Sequence, residues 1–549
     1  MNQRTYGEHD SVDFVIVGSG AAGGVLAKEL STNGFDVVVM EQGPWQQSAQ
    51  FTHDELAVER QLAMLNRAFE PNQTFRRRPD EVPQLNVGRG LLYRRAVGGS
   101  SVHFAANYWR FRPIDFRERS KWGAISGTGF ADWPITYEEL EPYYTKVDWE
   151  IGVSGAAGPH DPPRSRPYPM PPLPNKSSGV ILERAAKALG LQAQVAPMAI
   201  ASQPYDGRSA CGACGHCAYY GCEFGAKSSS LVTMIPKALA TGRCEVRIDS
   251  TVTRVDMGAN GRATGVVYVD KDGRERRQRA RAVIVAANGA ETARLLLMST
   301  SPAFPHGLAN SSGNVGRYIM FNGFSYTNGR FEHPLNEYKG ATDSRIVLDY
   351  YDADPKRGFY GGGGIDARFP YGPLTFAVNL LPPDLPTWGL AYKRALGEYY
   401  THTVRFMSHL TSLPVASNSI LLDTDHRDRW GRPALSLTYT DHPDDMSTKL
   451  WFQQRTEEMM EAAGATRVWS QPVLLADGGV QLLGTARMGN DPRHSVIDRY
   501  HRAHDVPNLF VCDGSSFVTS GRGQPTMTIQ ALAFRAADHI VRFARSNAI

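Results

Sequence analysis

The sequence predicts an α/β protein, a Rossmann-type nucleotide-binding domain joined to an α+β domain built on a mainly antiparallel sheet. Three observations predict it. The chain opens with strand, glycine-rich turn, helix and strand within about 30 residues, the size of one βαβ unit. Residues 320 to 480 carry alternating, aromatic-rich segments broken by many Gly and Pro. A chain of 549 residues is long enough for two or more hydrophobic cores.

The first unit begins with the β-branched run DFVIV at residues 13–17 and turns at GSGAAGG into a small-residue helix. A second apolar run, DVVVM, then ends at Glu41. Residues 54–69, DELAVERQLAMLNRAF, have the spacing of an amphipathic helix. Eight prolines between Pro159 and Pro174 predict an extended connector and a domain crossing. Strands return at CEVRIDSTVTRVDM, RATGVVYVDKDG and RAVIVAANG, the last running directly into the helix AETARLLLMS. The chain closes on an amphipathic helix opened by Pro525.

Composition narrows the function class. Hydrophobic residues at 42% and charged residues at 21% are ordinary for a soluble enzyme. A net charge of +4 gives no case for nucleic acid or an anionic membrane, and the run Arg76–Arg78 reads as a solvated or carboxylate-paired patch. No apolar run reaches bilayer length, so no transmembrane segment is expected. The first residues lack the n-region, h-region and cleavage site of a secretory signal, which predicts a chain that is cytoplasmic as synthesised.

Gly18, Gly20 and Gly23 form G-x-G-x-x-G between a strand and a helix, with Glu41 at the end of the next strand, 23 residues after Gly18. Gly18 allows the tight turn, Gly20 lets backbone approach a pyrophosphate, and Gly23 lets the helix pack on the strand. The helix N-terminus faces the phosphates and Glu41 accepts from the ribose hydroxyls. These residues suit FAD and NAD equally.

Four of the six cysteines, Cys211, Cys214, Cys217 and Cys222, fall in the twelve residues CGACGHCAYYGC. The C-x2-C-x2-C run is of the type that wraps an iron–sulfur cluster. Zinc is chemically possible, although structural zinc sites usually pair two C-x2-C knuckles across a longer loop. Two disulfides in so short a stretch would be crowded, and a loop that binds nothing is the remaining alternative. Cys244 and Cys512, at strand-like positions, read as small buried hydrophobes.

Five separated motifs settle the cofactor. RRAVGGSSVHFAANYWR (94–110), VIVAANGAETARLLL (283–297), GTARMGNDP (484–492) and NLFVCDGSSFVTSGRGQPTMTI (508–529), together with the first βαβ unit, resemble the glucose–methanol–choline (GMC) family of FAD-dependent oxidoreductases. The resemblance implies a flavin domain assembled from residues 1–115, 207–318 and 481–549, with a substrate domain from 116–206 and 319–480 inserted between its pieces. It places Gly98, Gly99 and Ser100 against the isoalloxazine, and the backbone of Val252 on the adenine. Asp513 and Gly514 would meet the pyrophosphate–ribityl region. The helix beginning at Pro525 would aim its dipole at the flavin pyrimidine.

The cysteine pattern and the GCEFGAKSSS that follows it are similar to the subgroup of gluconate 2-dehydrogenase and glucoside 3-dehydrogenase flavoprotein subunits. On spacing and resemblance together, the four cysteines are read as ligands of a 3Fe-4S or 4Fe-4S cluster. The resemblance further implies a small helper subunit, cytochrome c or quinone as the electron acceptor, and export as a passenger of a signal-bearing partner. The expected activity is oxidation of a hydroxyl on a sugar, glycoside, polyol or sugar acid.

The family pattern breaks where the proton must go. Family members take the hydroxyl proton with a His in H-x-x-G-T, and this chain has Gln481 there, in QLLGT. The His or Asn of the family's N-P-T turn is replaced by Gln524, in GQPT. Glutamine can orient a hydroxyl but cannot take its proton. His103 is the best substitute by motif position, with His402, His409 and His442 as further candidates. The missing pair also leaves open a flavoprotein isomerase or lyase with no net redox change, or a catalytically silent FAD-binding subunit.

Overall fold

A computed structural model describes residues 4–58, 73–85, 90–369 and 372–549. Most of the helix expected at residues 54–69 lies outside the described residues.

The first core is a seven-stranded sheet. Its strands run in the order Cys244–Arg247, Val37–Met40, Ser11–Val17, Glu275–Val285, Ala263–Val269 and Thr251–Met257, with Leu509–Val511 also pairing Glu275–Val285. The C-terminal half of Glu275–Val285 pairs in parallel with Ser11–Val17 and Leu509–Val511, and its N-terminal half is antiparallel to Ala263–Val269. Burial explains that division. The segments VDFVIV, VVVM and AVIV are almost wholly buried, as befits strands covered on both faces, whereas the opening ERRQR of the long strand is alternately exposed. Helices Ala21–Thr32 and Pro525–Arg545 pack on each other against this sheet.

The second core is a six-stranded sheet, antiparallel throughout, in the order Arg467–Ser470, Gly323–Arg330, Thr403–Leu410, Gly363–Arg368, Arg345–Val347 and Ala193–Val195. Helices Ser177–Ala188 and Pro443–Ala462 cover one face, burying Leu182, Phe406 and Phe452 with Ile365 and Val404. The other face turns toward the first domain. The fold is therefore α/β with a mixed Rossmann-type sheet and an antiparallel companion sheet. The proline-rich stretch from Pro159 to Pro174 carries no helix and only an isolated bridge, from Met170 to Ser154. Among the described residues no helix is long and apolar enough to cross a membrane.

Candidate active site

One long cavity runs between the two sheets. At one end it is lined by Gly18–Ala22, Glu41 and Val252, in the middle by Asp513 and Gly514, and at the other end by His409, Gln481 and Gln524.

The nucleotide end follows from three glycines. Gly18 sits at φ +101°, and a side chain on Gly23 would place its Cβ 1.9 Å from the Gly18 carbonyl oxygen. The turn closes only because neither residue has a side chain. Gly20 faces open space toward the cavity, where the helix Ala21–Thr32 presents its N-terminal amides. Glu41 is buried, and its carboxylate accepts from the Ser19 hydroxyl (2.6 Å), the Ser19 amide (3.1 Å) and the Gly43 amide (2.9 Å). Burial raises its pKa against those three donors. The Ser19 hydroxyl also accepts from the Gly98 amide, which joins the first loop to Gly98–Ser100. Gly99 packs on Gly20, where a Cβ would lie 2.9 Å from the Gly20 Cα. Asp513 accepts from the Asn288 amide, the Thr292 hydroxyl and the Ser515 amide, which fixes the loop carrying Gly514. Pro525 opens the last helix with Gln524 as its N-cap, so that helix aims its N-terminus at the cavity.

The substrate end is built by strand register. His409 lies opposite Phe324 and Gly364, and Met407 lies opposite Tyr326 and Asp366. Directly opposed residues share a face of an antiparallel sheet, so Phe324, Tyr326, Met407, His409, Asp366 and Arg368 all turn toward the cavity side. Gly364 is required there, because a Cβ would meet the Trp109 ring at 2.5 Å. His409 is wedged edge-on between Trp109 and Phe324, with centroids 5.2 and 5.5 Å away.

Four side chains then form a chain of hydrogen bonds. The Gln481 amide nitrogen donates to the Gln524 carbonyl at 2.7 Å, and the Gln524 amide nitrogen donates to His409 Nδ1 at 2.8 Å. His409 Nε2 donates to Asp366 Oδ2 at 2.6 Å. Arg368 pairs with Asp366, and the Asn107 amide donates to it as well. At the free end Gln481 Oε1 is buried and has no hydrogen-bond partner. Burial favours a neutral Asp366, but Arg368 and His409 outweigh it and hold the carboxyl down at about 2. Burial also lowers the His409 imidazole, only partly offset by Asp366, so His409 is neutral near pH 7.

His103 lines the same cavity, with Nδ1 3.1 Å from the Tyr219 carbonyl and Nε2 3.2 Å from the side-chain oxygen of Gln46. Burial, helped by Arg94 and Lys227, pulls its pKa down to about 3. A base needs useful basicity; His103 lacks it, and its ring ties the Tyr219 loop to the cavity wall. His402 and His442 do not line the cavity; His442 caps the helix Pro443–Ala462 instead.

The Tyr219 amide donates to the His103 carbonyl, so two bonds join the cysteine loop to the cavity wall, where Ala218 and Tyr219 are themselves lining residues. Left-handed turns at Ala213, Gly215 and Tyr219 coil the loop. Buried Lys227 ties it from beneath, donating to the carbonyls of Cys217 (2.7 Å), Tyr220 (2.6 Å) and Phe104 (3.0 Å). All four cysteines are free, half-buried thiols close enough to influence one another electrostatically. Burial pushes the Cys217 thiol up to about 12. The Ala213 amide points at Cys211 Sγ, 3.4 Å away. A tighter donor set lies at the rim, where ligand atoms of His53, Cys214 and His216 fall within 4.8 Å of one another. Cys244 and Cys512 are buried in the first core.

Family profiles described as GMC oxidoreductase match residues 12–318 and 414–533. The chain belongs to the GMC oxidoreductase family. It is 35% identical over 542 residues to 2-methyl-1,2-propanediol dehydrogenase of Mycolicibacterium austroafricanum, covering 97% of this chain and 96% of that one. It is 28% identical over 556 residues to the fructose dehydrogenase large subunit of Gluconobacter japonicus, covering 97% and 98%. Its fold is similar to that of pyridoxine 4-oxidase from Mesorbium loti, with a TM-score of 0.66 at 18% identity over 96% of this chain and 98% of that one.

As a GMC oxidoreductase the chain is an FAD enzyme acting on CH–OH groups. The cavity fits that cofactor. A side-chain-free cradle at Gly20 lies under a helix N-terminus, a carboxylate stands at the ribose position, and a second helix N-terminus faces the far end. Gln481 and Gln524 meet at that far end. Asp366 and Arg368 escaped the sequence reading, although a charged D-x-R inside the apolar strand GGIDAR is the kind of buried, paired charge that marks a site.

Proposed function

We propose that this GMC oxidoreductase is a dehydrogenase of a sugar, glycoside, polyol or sugar-acid hydroxyl. Its electrons leave through an iron–sulfur cluster, 3Fe-4S or 4Fe-4S, on Cys211, Cys214, Cys217 and Cys222. The observation that carries the exit route is the shared wall, in which Ala218 and Tyr219 of the cysteine loop line the same cavity as Gly99 and Ser100. FAD, when bound, supplies the two-electron acceptor for the carbon-bound hydrogen, whereas a cytochrome accepts one electron at a time. Iron–sulfur chemistry in the wall suits that mismatch, and an enzyme that hands electrons to O2 has no need of it.

The loop's own residues support the reading. Lys227 holds the loop from beneath, and an amide faces a sulfur as around known clusters. No three of the four sulfurs lie within 4.8 Å of one another, while one zinc ion, at about 2.3 Å from each, would draw them closer than that. The name of the fructose dehydrogenase relative, a large subunit, supports a companion subunit for this chain too, and the one-electron exit supports a cytochrome c or quinone acceptor.

Anaerobic purification with iron and zinc analysis and EPR tests the reading. It expects about three to four irons per flavin, and rapid bleaching of the flavin by a member of a polyol and glycoside panel. Cys217→Ser should lose the iron yet keep that bleaching, with reoxidation by cytochrome c slowed. Flavin with less than about one iron per chain sinks the cluster, and zinc alone would assign the metal to His53, Cys214 and His216. Turnover without any acceptor would mean an isomerase or lyase, and no bleaching by any of the panel a silent subunit.

A further inference from the structure

The function just proposed requires a group that removes the hydroxyl proton, and the family's usual position for it holds Gln481. The cavity end offers few groups able to do so. Glutamine cannot accept a proton, the His103 ring is buried between the Tyr219 carbonyl and the Gln46 side-chain oxygen with Arg94 and Lys227 opposing its charging, and Arg368 stays cationic. His409 differs from all of these. Its Nε2 stands 2.6 Å from Asp366, which fixes the proton on that nitrogen and leaves the lone pair on Nδ1. Nδ1 faces Gln524, on the cavity side of the ring. The imidazole is 1% exposed and is gripped by Trp109 and Phe324, so its orientation is set before a ligand arrives.

We propose that His409, oriented by Asp366, is the base that takes the substrate's hydroxyl proton, with Gln481 and Gln524 holding that hydroxyl against it. This rests on the dehydrogenase reading above. The hydroxyl replaces the Gln524 amide as the donor to Nδ1, and the freed Gln524 N–H turns onto the hydroxyl oxygen. Gln481 Oε1, buried without a partner, accepts from a neighbouring substrate hydroxyl. The O–H bond breaks and an Nδ1–H bond forms, giving an imidazolium paired with the Asp366 carboxylate. FAD, when bound, would take the carbon-bound hydrogen with its electron pair, and the carbon–oxygen bond would become a carbonyl. One proton and one hydride leave the substrate, which is a two-electron oxidation.

The groups facing His409 set the pH dependence. Asp366 favours its protonated form. Arg368, 3.1 Å from Nε2, disfavours it, and Asp343 behind Arg368, its carboxyl pushed up to about 8 by burial, counters that cation only toward the alkaline end. Arg405, four residues before His409 on the same strand, is turned to Asn328 and the Tyr326 ring, and Trp109, Phe324 and Gln524 bring no charge. Since His409 acts when neutral, the rate is full at high pH and is lost as pH falls through its pKa, which lies below the ordinary 6.5.

The test has two arms. In the first, the flavin-loaded protein is titrated with acetate, and binding is followed by the flavin absorption between about pH 5.5 and 8.5. Wild type should bind acetate more tightly as pH falls and the imidazole charges, and His409→Asn should be flat. A pH dependence that survives in the variant overturns the proposal without any turnover. In the second arm, His409→Asn should slow anaerobic flavin reduction about 10²- to 10⁴-fold and remove the acid limb. Asp366→Asn should slow it less and move the limb to lower pH, because it removes the charge that favours imidazolium. Wild type reduced by an alcohol, with His409→Asn reduced equally fast on the same pH profile, overturns the base assignment alone. Wild type reduced by no alcohol overturns the dehydrogenase reading, and the base with it.

Discussion

Arg522 offers the sharpest test of how the substrate end is held. Its guanidinium is fully buried, 2.7 Å from Asp115 and paired with Glu118, and its backbone leads within two residues to Gln524. Burial pushes the Glu118 carboxyl up to about 7 even with Arg522 present, so near neutral pH the cluster carries little more than one anion against one cation. Arg522→Leu removes the cation and leaves Asp115 buried with only the Tyr351 hydroxyl and the Arg112 amide as donors, so that it takes up a proton. Holding a carboxyl protonated costs about 1.4 kcal/mol for each pH unit above its ordinary value near 3.9, or about 5 to 6 kcal/mol at pH 8 and about 3 at pH 6. The higher figure meets the roughly 3–5 kcal/mol typical of breaking a buried pair from one side. The sign follows from proton counting. The folded variant holds protons that the unfolded chain has released above about pH 4, so its deficit grows as pH rises. Calorimetric melting of the flavin-loaded proteins at both pH values should show Arg522→Leu losing several degrees at pH 8 and clearly fewer at pH 6. Equal melting at pH 8, or a larger loss at pH 6, would refute the charge argument, and adding Asp115→Asn should recover part of the loss.

The nucleotide end yields two further predictions. Gly23→Ala puts a Cβ where only 1.9 Å separates it from the Gly18 carbonyl, so the loop opens and the purified protein should carry little flavin by absorbance. Glu41→Gln keeps the shape but removes the charge that organises Ser19 and Gly43; at about 1.5–3 kcal/mol for a charge-assisted hydrogen bond, flavin affinity measured by fluorescence titration of the apoprotein should fall about 10- to 100-fold.

Some of this was legible from local spacing. Gly18, Gly20, Gly23 and Glu41 lie within a single βαβ unit, so the order of residues along the chain is also their order around the turn. The aromatic alternation after residue 320 predicted an antiparallel sheet because a strand's side-chain period is two. The replacement of the family's catalytic pair by glutamines was visible too, since each stands inside a short motif. What could not be read was what replaces that pair. His409 was one of several histidines with nothing local to raise it above the rest, and Asp366 was passed over altogether.

By itself, then, the sequence determined the nucleotide loop, the cysteine run and the vacancy in the proton-handling motif, because each depends on residues a few positions apart. Only the tertiary structure decided that Gln481, Gln524, His409 and Asp366 form one chain of hydrogen bonds. Those residues come from two loops and two strands, and strand register and the packing of one sheet against the other bring them together. The tertiary structure likewise decided that His103 is buried between the Tyr219 carbonyl and the Gln46 side-chain oxygen, since those residues are 116 and 57 positions away in the chain. Hydrogen bonds over such separations depend on how the whole chain packs, and short-range patterning carries no record of them.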